Sequence, residues 1–254
     1  TQDNRMSLVW VDREGREEPL PLESQVYAYP RLSPDGGRLA VAVVAEDADL
    51  WVFDLDRLTR SRLTYGGDNR YFPVWSPTGD RVAFSNGPVD GNALLAAAAD
   101  GSGRLDTLLT RDGAQFPTSW SGDGGVLAFY ERSQDRTESG RDLWVLPVDG
   151  EPEPFLSTAF EERGGVFSPD GRWLAYASTK SGRDEVYLQP FPGPGREIVL
   201  STEGGSEPAW SPDGSELFYR SADEMMVVDM TDPTRPGAAR PLWVDSYVRD
   251  PTGN

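Results

Sequence analysis

The 254-residue chain contains no cysteine and no histidine, and its only lysine is Lys180. Without cysteine there are no disulfides, no thiol catalysis and no thiolate metal site. Without histidine the Ser-His-Asp and Cys-His arrangements fall away, as does the commonest ligand of zinc, copper and non-haem iron. The chemistry that remains runs through carboxylates, tyrosine, oxygen-ligated calcium or magnesium, or Lys180, which alone could carry a Schiff base or a Ser-Lys mechanism. Long apolar runs are missing too. The longest, at 93–99, is far short of the ~20 residues that cross a bilayer, so no membrane insertion is expected of this chain. Residues 1–5 are polar and lack the apolar stretch of a signal peptide.

Positive charge is scarce. Acidic residues outnumber basic ones 42 to 24, a net charge of −18, which repels nucleic-acid backbones and argues against DNA or RNA as partner. All basic residues but Lys180 are arginines, suited to planar pairing with carboxylates. Eight Trp, nine Tyr and ten Phe argue for a packed core over disorder.

What the chain does have is repetition. Ser-Pro-Asp-Gly stands at 33–36, 168–171 and 211–214, with degenerate copies Ser76-Pro77-Thr78-Gly79 and Ser121-Gly122-Asp123-Gly124. The five serines are spaced by 43, 45, 47 and 43 residues, the period of a four-stranded propeller blade and not of helical repeats. Each unit repeats one order: an aromatic-ended stretch, the turn, an alternating strand (38–44, 81–85, 126–130, 173–177, 216–219), a third strand (50–55, 93–98, 142–148, 185–190, 225–229) and a fourth (61–64, 106–110, 154–157, 197–201, 239–243). Branched and aromatic residues recur at every second position between Gly, Pro, Asp and Asn, as half-buried antiparallel strands require. The alanine-rich stretch at 93–98 has helix propensity, but its place in the repeat makes it a third strand.

The turn motif has a mechanical reading: proline presets the first corner, aspartate bonds nearby backbone, and glycine accepts positive φ. The alternative is a carboxylate site of Asp35, Asp123, Asp170 and Asp213. Blade geometry places these on separate turns that should not converge, and Thr78 would break such a ring. Trp75, Trp120 and Trp210 recur one residue before the turn serine, which predicts packing between blades. Asp47-Ala48-Asp49 and Asp229-Met230-Thr231-Asp232 do not follow EF-hand spacing, so neither metal nor cofactor is expected.

These repeats resemble TolB-like, WD-type β-propeller repeats over nearly the whole chain. A closer resemblance, carried by Val9-Trp10-Val11-Asp12-Arg13-Glu14-Gly15, Gly171-Arg172-Trp173-Leu174-Ala175-Tyr176, the segment at 185–195 and Tyr247-Val248-Arg249-Asp250, is to the propeller domain of bacterial eukaryotic-like Ser/Thr protein kinases. No kinase signature is present. The resemblance implies an extracytoplasmic (periplasmic, cell-surface or secreted) sensor or protein-interaction module.

The expectation is therefore one all-β propeller over 1–254, with 1–24 as an N-terminal strand pair, 25–244 as five blades and 245–254 as an extension. Counting strands gives a six-bladed ring with an incomplete sixth blade; the alternative is five-bladed. Ligands of propellers sit at the mouth of the central channel, where repeat position places Tyr29, Arg70, Tyr71, Gln115, Phe116, Arg163, Ser206 and Glu207. Loops 46–49, 87–92, 133–141, 179–183 and 222–223 surround them, and the long charged loop 131–141 is the expected contact for a protein partner. The expected function is non-catalytic binding or scaffolding of a protein, peptide or glycan. Two alternatives stand beside it: a subunit forming homo-oligomers or filaments head to tail through the incomplete blade, and a polysaccharide-active enzyme with Glu162 and Glu207 as acid and base.

Overall fold

Runs such as Leu39-Ala40-Val41-Ala42 bury both faces of a strand, because each strand lies in a sheet stacked between two others. A computed structural model describes residues 5–66, 69–87, 93–132 and 140–244. Among them are 22 strands and no helix. Twenty form five antiparallel four-stranded blades. Blade 1 is β3 (Tyr27–Leu32), β4 (Arg38–Val44), β5 (Ala48–Asp54) and β6 (Thr59–Arg62). Blade 2 is β7 (Arg70–Trp75), β8 (Arg81–Asn86), β9 (Ala93–Ala98) and β10 (Leu105–Thr110). Blade 3 is β11 (Ala114–Trp120), β12 (Val126–Arg132), β13 (Asp142–Pro147) and β14 (Glu153–Leu156). Blade 4 is β15 (Glu162–Phe167), β16 (Trp173–Ser178), β17 (Glu185–Pro190) and β18 (Ile198–Val199). Blade 5 is β19 (Ser206–Trp210), β20 (Glu216–Ser221), β21 (Glu224–Asp229) and β22 (Arg240–Val244).

The remaining two strands, β1 (Val9–Val11) and β2 (Glu17–Pro19), pair only with each other. The six-bladed expectation is therefore corrected to five blades plus a hairpin. Two three-residue strands make a ribbon, not a blade. The ribbon lies between blade 5 and blade 1. Arg13 pairs with Glu216 and stands 5.7 Å from the Phe218 ring centroid, while Met6, Leu8 and Leu22 pack on the Tyr27–Leu39–Val41–Phe53 cluster of blade 1.

Apolar clusters fill each of the four seams between consecutive blades. Among the described residues, no cluster joins blade 5 directly to blade 1. In the first seam Trp75 packs against Ala40, Ala42, Leu50 and Val52. The alanines of β9 are strand, not helix, because Ala97 is sealed into that seam beside Val82 and Phe84; burial outweighs a propensity difference of a few tenths of a kcal/mol per residue.

The turn motif is a hydrogen-bonded device. In the first copy Gly37 N donates to Asp35 Oδ1 (3.1 Å), Arg38 N to Ser33 Oγ (2.9 Å) and Gly36 N to the Ser33 carbonyl (2.8 Å). The copies at Ser121, Ser168 and Ser211 repeat this set. At Thr78 the missing carboxylate is replaced two residues on, where Asp80 accepts from Ser76 (2.8 Å) and Thr78 (2.5 Å). The turn carboxylates are thus engaged locally, and among the described residues no three acidic side chains are grouped to hold a metal. The turns do touch each other. A Cβ built on Gly79 would stand 3.7 Å from Pro34, one on Gly124 3.7 Å from Pro77, and one on Gly214 3.4 Å from Pro169.

Candidate functional site

Each inner strand carries a register break where it lines the channel: between Ala28 and Arg31, Tyr71 and Val74, Pro117 and Ser119, Arg163 and Val166, and Ser206 and Ala209. A bulge re-aims side chains, and such sites are often functional. In four of these blades the bulge holds a residue with positive φ: Tyr29 (54°), Phe72 (59°), Gly164 (66°) and Glu207 (54°). Glycine takes this conformation freely, whereas another residue loses about 1–2 kcal/mol. Blade 4 shows that glycine satisfies the fold there. The strain at the other three is kept for the side chains they present.

Tyr29 and Phe72 begin an aromatic row. Their ring centroids are 3.9 Å apart; Phe72 meets Phe116 edge-on at 4.9 Å, and Phe116 stacks on Tyr130 at 4.7 Å. Tyr71 closes the first end, with its centroid 6.0 Å from that of Tyr29. Each such pair contributes about 0.5–1.5 kcal/mol beyond its buried area. Cations flank the row: Arg132 lies 5.9 Å from the Phe116 centroid and Arg141 5.9 Å from that of Tyr130. Burial pushes the Tyr130 hydroxyl far above the usual phenol range, with Arg141 opposing, so it stays a neutral donor. Burial also raises Tyr71.

An ionic network continues from Arg141 at the end of the row. Arg163 pairs with Asp184 (2.5 Å) and lies 3.8 Å from Glu161, which also meets Arg141 at 3.3 Å. Glu207 is exposed, 3.7 Å from Arg220, and Ser206 lies opposite Arg220 in the β19–β20 register. Arg31 is open to solvent yet crowded by protein; desolvation lowers its pKa and the Glu207 carboxylate opposes.

Of the eight residues expected at the mouth, the structure brings Tyr29, Tyr71 and Phe116 into one aromatic row through Phe72, and puts Arg163 and Glu207 in ion pairs, with Ser206 opposite Arg220. Arg70 and Gln115 are buried in internal hydrogen bonds: Arg70 donates to the Tyr65 carbonyl (2.6 Å), and Gln115 to the Gly113 carbonyl (2.9 Å) and the Glu131 carboxylate (3.1 Å). Phe72, Tyr130 and Arg31 join the site unforeseen. Phe72 carried a signal, since it precedes a proline as Tyr29 and Glu207 do. Residues 88–92 and 133–139, most of loops 87–92 and 133–141, lie outside the described residues, as does the centre of 131–141.

The two carboxylates considered as acid and base differ in setting. Glu162 is 2% exposed, accepting from Thr158 (2.6 Å) and Ser178 (3.4 Å), whereas Glu207 stands in solvent. Lys180 is held between Glu197 and the Tyr187 ring, 3.8 Å from its centroid. Asp49 is also engaged, accepting from Arg62 and from Thr64 (3.0 Å).

With blades, turns and channel in place, the description "TolB beta propeller domain" matches residues 13–212. The chain belongs to the TolB beta propeller domain family. Its architecture is similar to that of the putative TolB from Agrobacterium tumefaciens, with a TM-score of 0.75 and 19% identity over 90% of this chain and 84% of that one, a likeness of fold. In sequence it is 29% identical to the "Uncharacterized peptidase YuxL" of Bacillus subtilis over 138 residues, 51% of this chain and 21% of that protein. It is 30% identical to the Tol-Pal system protein TolB of Geobacter sulfurreducens over 78 residues, 30% of this chain and 18% of that protein. The chain thus matches only about a fifth of the length of either relative. A TolB beta propeller domain is a frame on which site chemistry is set blade by blade.

Proposed function

We propose that this propeller is a non-catalytic, extracytoplasmic binding module whose channel mouth holds a segment of a protein partner. The observation that carries this reading is the row Tyr29–Phe72–Phe116–Tyr130, in which two members sit at strained backbone positions that glycine fills in blade 4. A pre-packed aromatic surface flanked by Arg132 and Arg141 suits a peptide offering apolar or aromatic side chains together with carboxylates. A glycan is less well matched, since the rings contact each other instead of presenting one open stacking face. The location outside the cytoplasm rests on the resemblance to kinase-linked propellers and on the similarity to a Tol-Pal system protein.

Selection of a displayed random-peptide library on the chain tests the reading. Wild type should enrich acidic sequences with aromatic or aliphatic anchors, and Phe72→Ala should lose their binding at least about tenfold, a typical cost for an aromatic anchor, while keeping a cooperative thermal transition. No enrichment, or enrichment that Phe72→Ala leaves untouched, overturns it. The absence of catalysis is tested on a panel of peptidase, glycosidase and polysaccharide-lyase substrates. Turnover abolished by Glu207→Gln would favour the enzymatic reading.

A further inference from the structure

Arg141 and Arg163 converge on one oxygen of Glu161, Oε2, at 3.3 Å and 3.8 Å. Charge-assisted N–H···O pairs of good fit close to about 2.7–2.9 Å. Arg163 shows the contrast within one side chain, since it meets Asp184 at 2.5 Å. Glu161 is therefore a loose occupant, standing at the rim of the two cations without seating between them. The arginine side chains are 19% and 18% exposed, whereas that of Glu161 is 42% exposed. The cations are set into the fold, and the carboxylate reaches them from solvent.

The backbone explains why these groups meet. Arg141 directly precedes β13 and Arg163 lies in β15, and the amide of Glu162 donates to the Arg141 carbonyl at 2.9 Å. The backbone of Glu161 is pinned, its amide donating to Thr179 Oγ1 (3.0 Å) and its carbonyl accepting from Thr179 N (3.1 Å). Its side chain can swing away without breaking either bond. Gly140 leaves room for that carboxylate, since a Cβ there would stand 2.5 Å from Glu161 Oε1. The two arginines also border the aromatic row. Arg141 lies 5.9 Å from the Tyr130 centroid, and both guanidiniums oppose the effect of burial on the Tyr130 hydroxyl.

Building on the binding-module reading above, we propose that Arg141 and Arg163 form a carboxylate subsite at the end of the row, with Glu161 as its resident competitor. A peptide that lays an apolar side chain on the row and a carboxylate between the arginines displaces Glu161 into water. Two guanidiniums can be bridged by both oxygens of one carboxylate, whereas both close approaches of Glu161 use Oε2. The internal competitor makes the subsite selective. A free anion must displace Glu161 unaided. A carboxylate tethered to an anchored side chain arrives at high effective concentration and wins. The chemistry fits an aspartate or glutamate side chain and equally a terminal carboxylate.

Three acetylated tripeptides test this by NMR titration of the isotope-labelled chain: acetyl-Gly-Phe-Asp-amide, acetyl-Gly-Asn-Phe with a free terminal carboxylate, and acetyl-Gly-Phe-Asn-amide with no carboxylate. At least one of the first two should bind, and which one does tells a side-chain from a terminal carboxylate. Glu161→Gln should tighten its binding by about threefold or more, the worth of a partly exposed ion pair, and leave the third peptide unchanged. Arg163→Gln should abolish that gain, a coupling that a merely structural ion pair would not produce. The glutamine at 161 is conservative and lies outside the core, so the test stands even where Arg163→Gln fails to fold. Equal or weaker binding of both acids to Glu161→Gln overturns the proposal, as does a gain shared by the third peptide, a gain that survives in a folded Arg163→Gln, or no binding of either acid. Phe72→Ala separates this inference from the reading it rests on. Loss of the acids in Phe72→Ala with no effect of Glu161→Gln keeps the row and sinks the subsite; a gain in Glu161→Gln with no loss in Phe72→Ala keeps the subsite and sinks the row.

Discussion

The indole N–H of Trp75 donates to the backbone carbonyl of Arg31, 3.0 Å away, across the seam between the first two blades. Arg38 of blade 1 lies over the same ring at 4.6 Å. The seam is thus closed by one side chain that fills the Ala40–Ala42 hollow and satisfies a carbonyl freed by the inner-strand bulge. Trp210 repeats the contact on Val166 at 3.3 Å. Trp120 does not; its buried Nε1 has no hydrogen-bond partner among the described residues.

That difference separates packing from hydrogen bonding. Trp75→Ala should destabilise by about 3–5 kcal/mol through the cavity left in a packed seam. Trp75→Phe should cost about 1 kcal/mol more than Trp120→Phe, the net worth of one hydrogen bond, since the second change removes a donor with no partner. Urea unfolding of the three variants measures both quantities. Equal losses for the two phenylalanine variants would show that the indole bond contributes nothing.

Backbone strain at the site predicts an inverted ranking at Tyr29. Its φ of 54° favours glycine, so Tyr29→Gly should be more stable than Tyr29→Ala by about 1 kcal/mol. At an ordinary strand position the order is the reverse. Both variants lose the ring, so the comparison isolates the backbone. Alanine at or above glycine in thermal stability would remove the argument that the strain is kept for the side chain.

The repeated turns predict an acid limb in the stability profile. Hydrogen bonds from Ser211 and from the amide and hydroxyl of Ser215 hold Asp213 at about 2, and Asp35, Asp80, Asp123 and Asp170 are lowered as well. A carboxylate with a depressed folded pKa contributes stability above its unfolded value, near 3.8, and loses it as pH falls through the folded value. Tm should therefore fall between about pH 4 and pH 2, and Asp213→Asn should flatten that limb while lowering Tm at pH 7. A limb unchanged in this variant would show that the turn bond does not carry the dependence.

The repeat was legible because it is local. Ser33, Ser76, Ser121, Ser168 and Ser211 each make their turn from residues within five positions, so the period and strand order could be read directly. Blade number was not local. Whether β1 and β2 form a blade depends on what lies beside them, and the strand count could not distinguish a ribbon from half a blade. The site divided along the same line. Repeat position points to Tyr29 and Glu207, but at β7 it points to Arg70 and Tyr71 and not to Phe72, because the orientation of residues there depends on the bulge between Tyr71 and Val74. Repeat position puts Gln115 at the mouth, but its amide donates to the carbonyls of Arg111, Asp112 and Gly113, a bond set by the local loop and not by the repeat.

Glu162 should behave oppositely to the turn aspartates. Burial is the main influence on its carboxyl and raises its pKa; the bonds from Thr158 and Ser178 offset this only in part, and Oε2 is buried without a partner. Its charged form is therefore disfavoured more in the folded chain than in the unfolded one. The wild-type protein loses stability as pH rises through the window from the unfolded value, near 4.5, to the raised folded value, and stays at that lower level above it. Glutamine keeps the shape and the contacts with Thr158 and Ser178 but carries no charge. Glu162→Gln should raise Tm at pH 7, and the gain should shrink towards zero as pH falls through that window, because protonated glutamate and glutamine are then nearly equivalent. Thermal unfolding of both proteins from pH 4 to pH 8 measures the difference. A variant less stable at pH 7, or a gain constant with pH, would mean that the ionised carboxylate is wanted where it stands, and would return Glu162 to consideration as a functional acid.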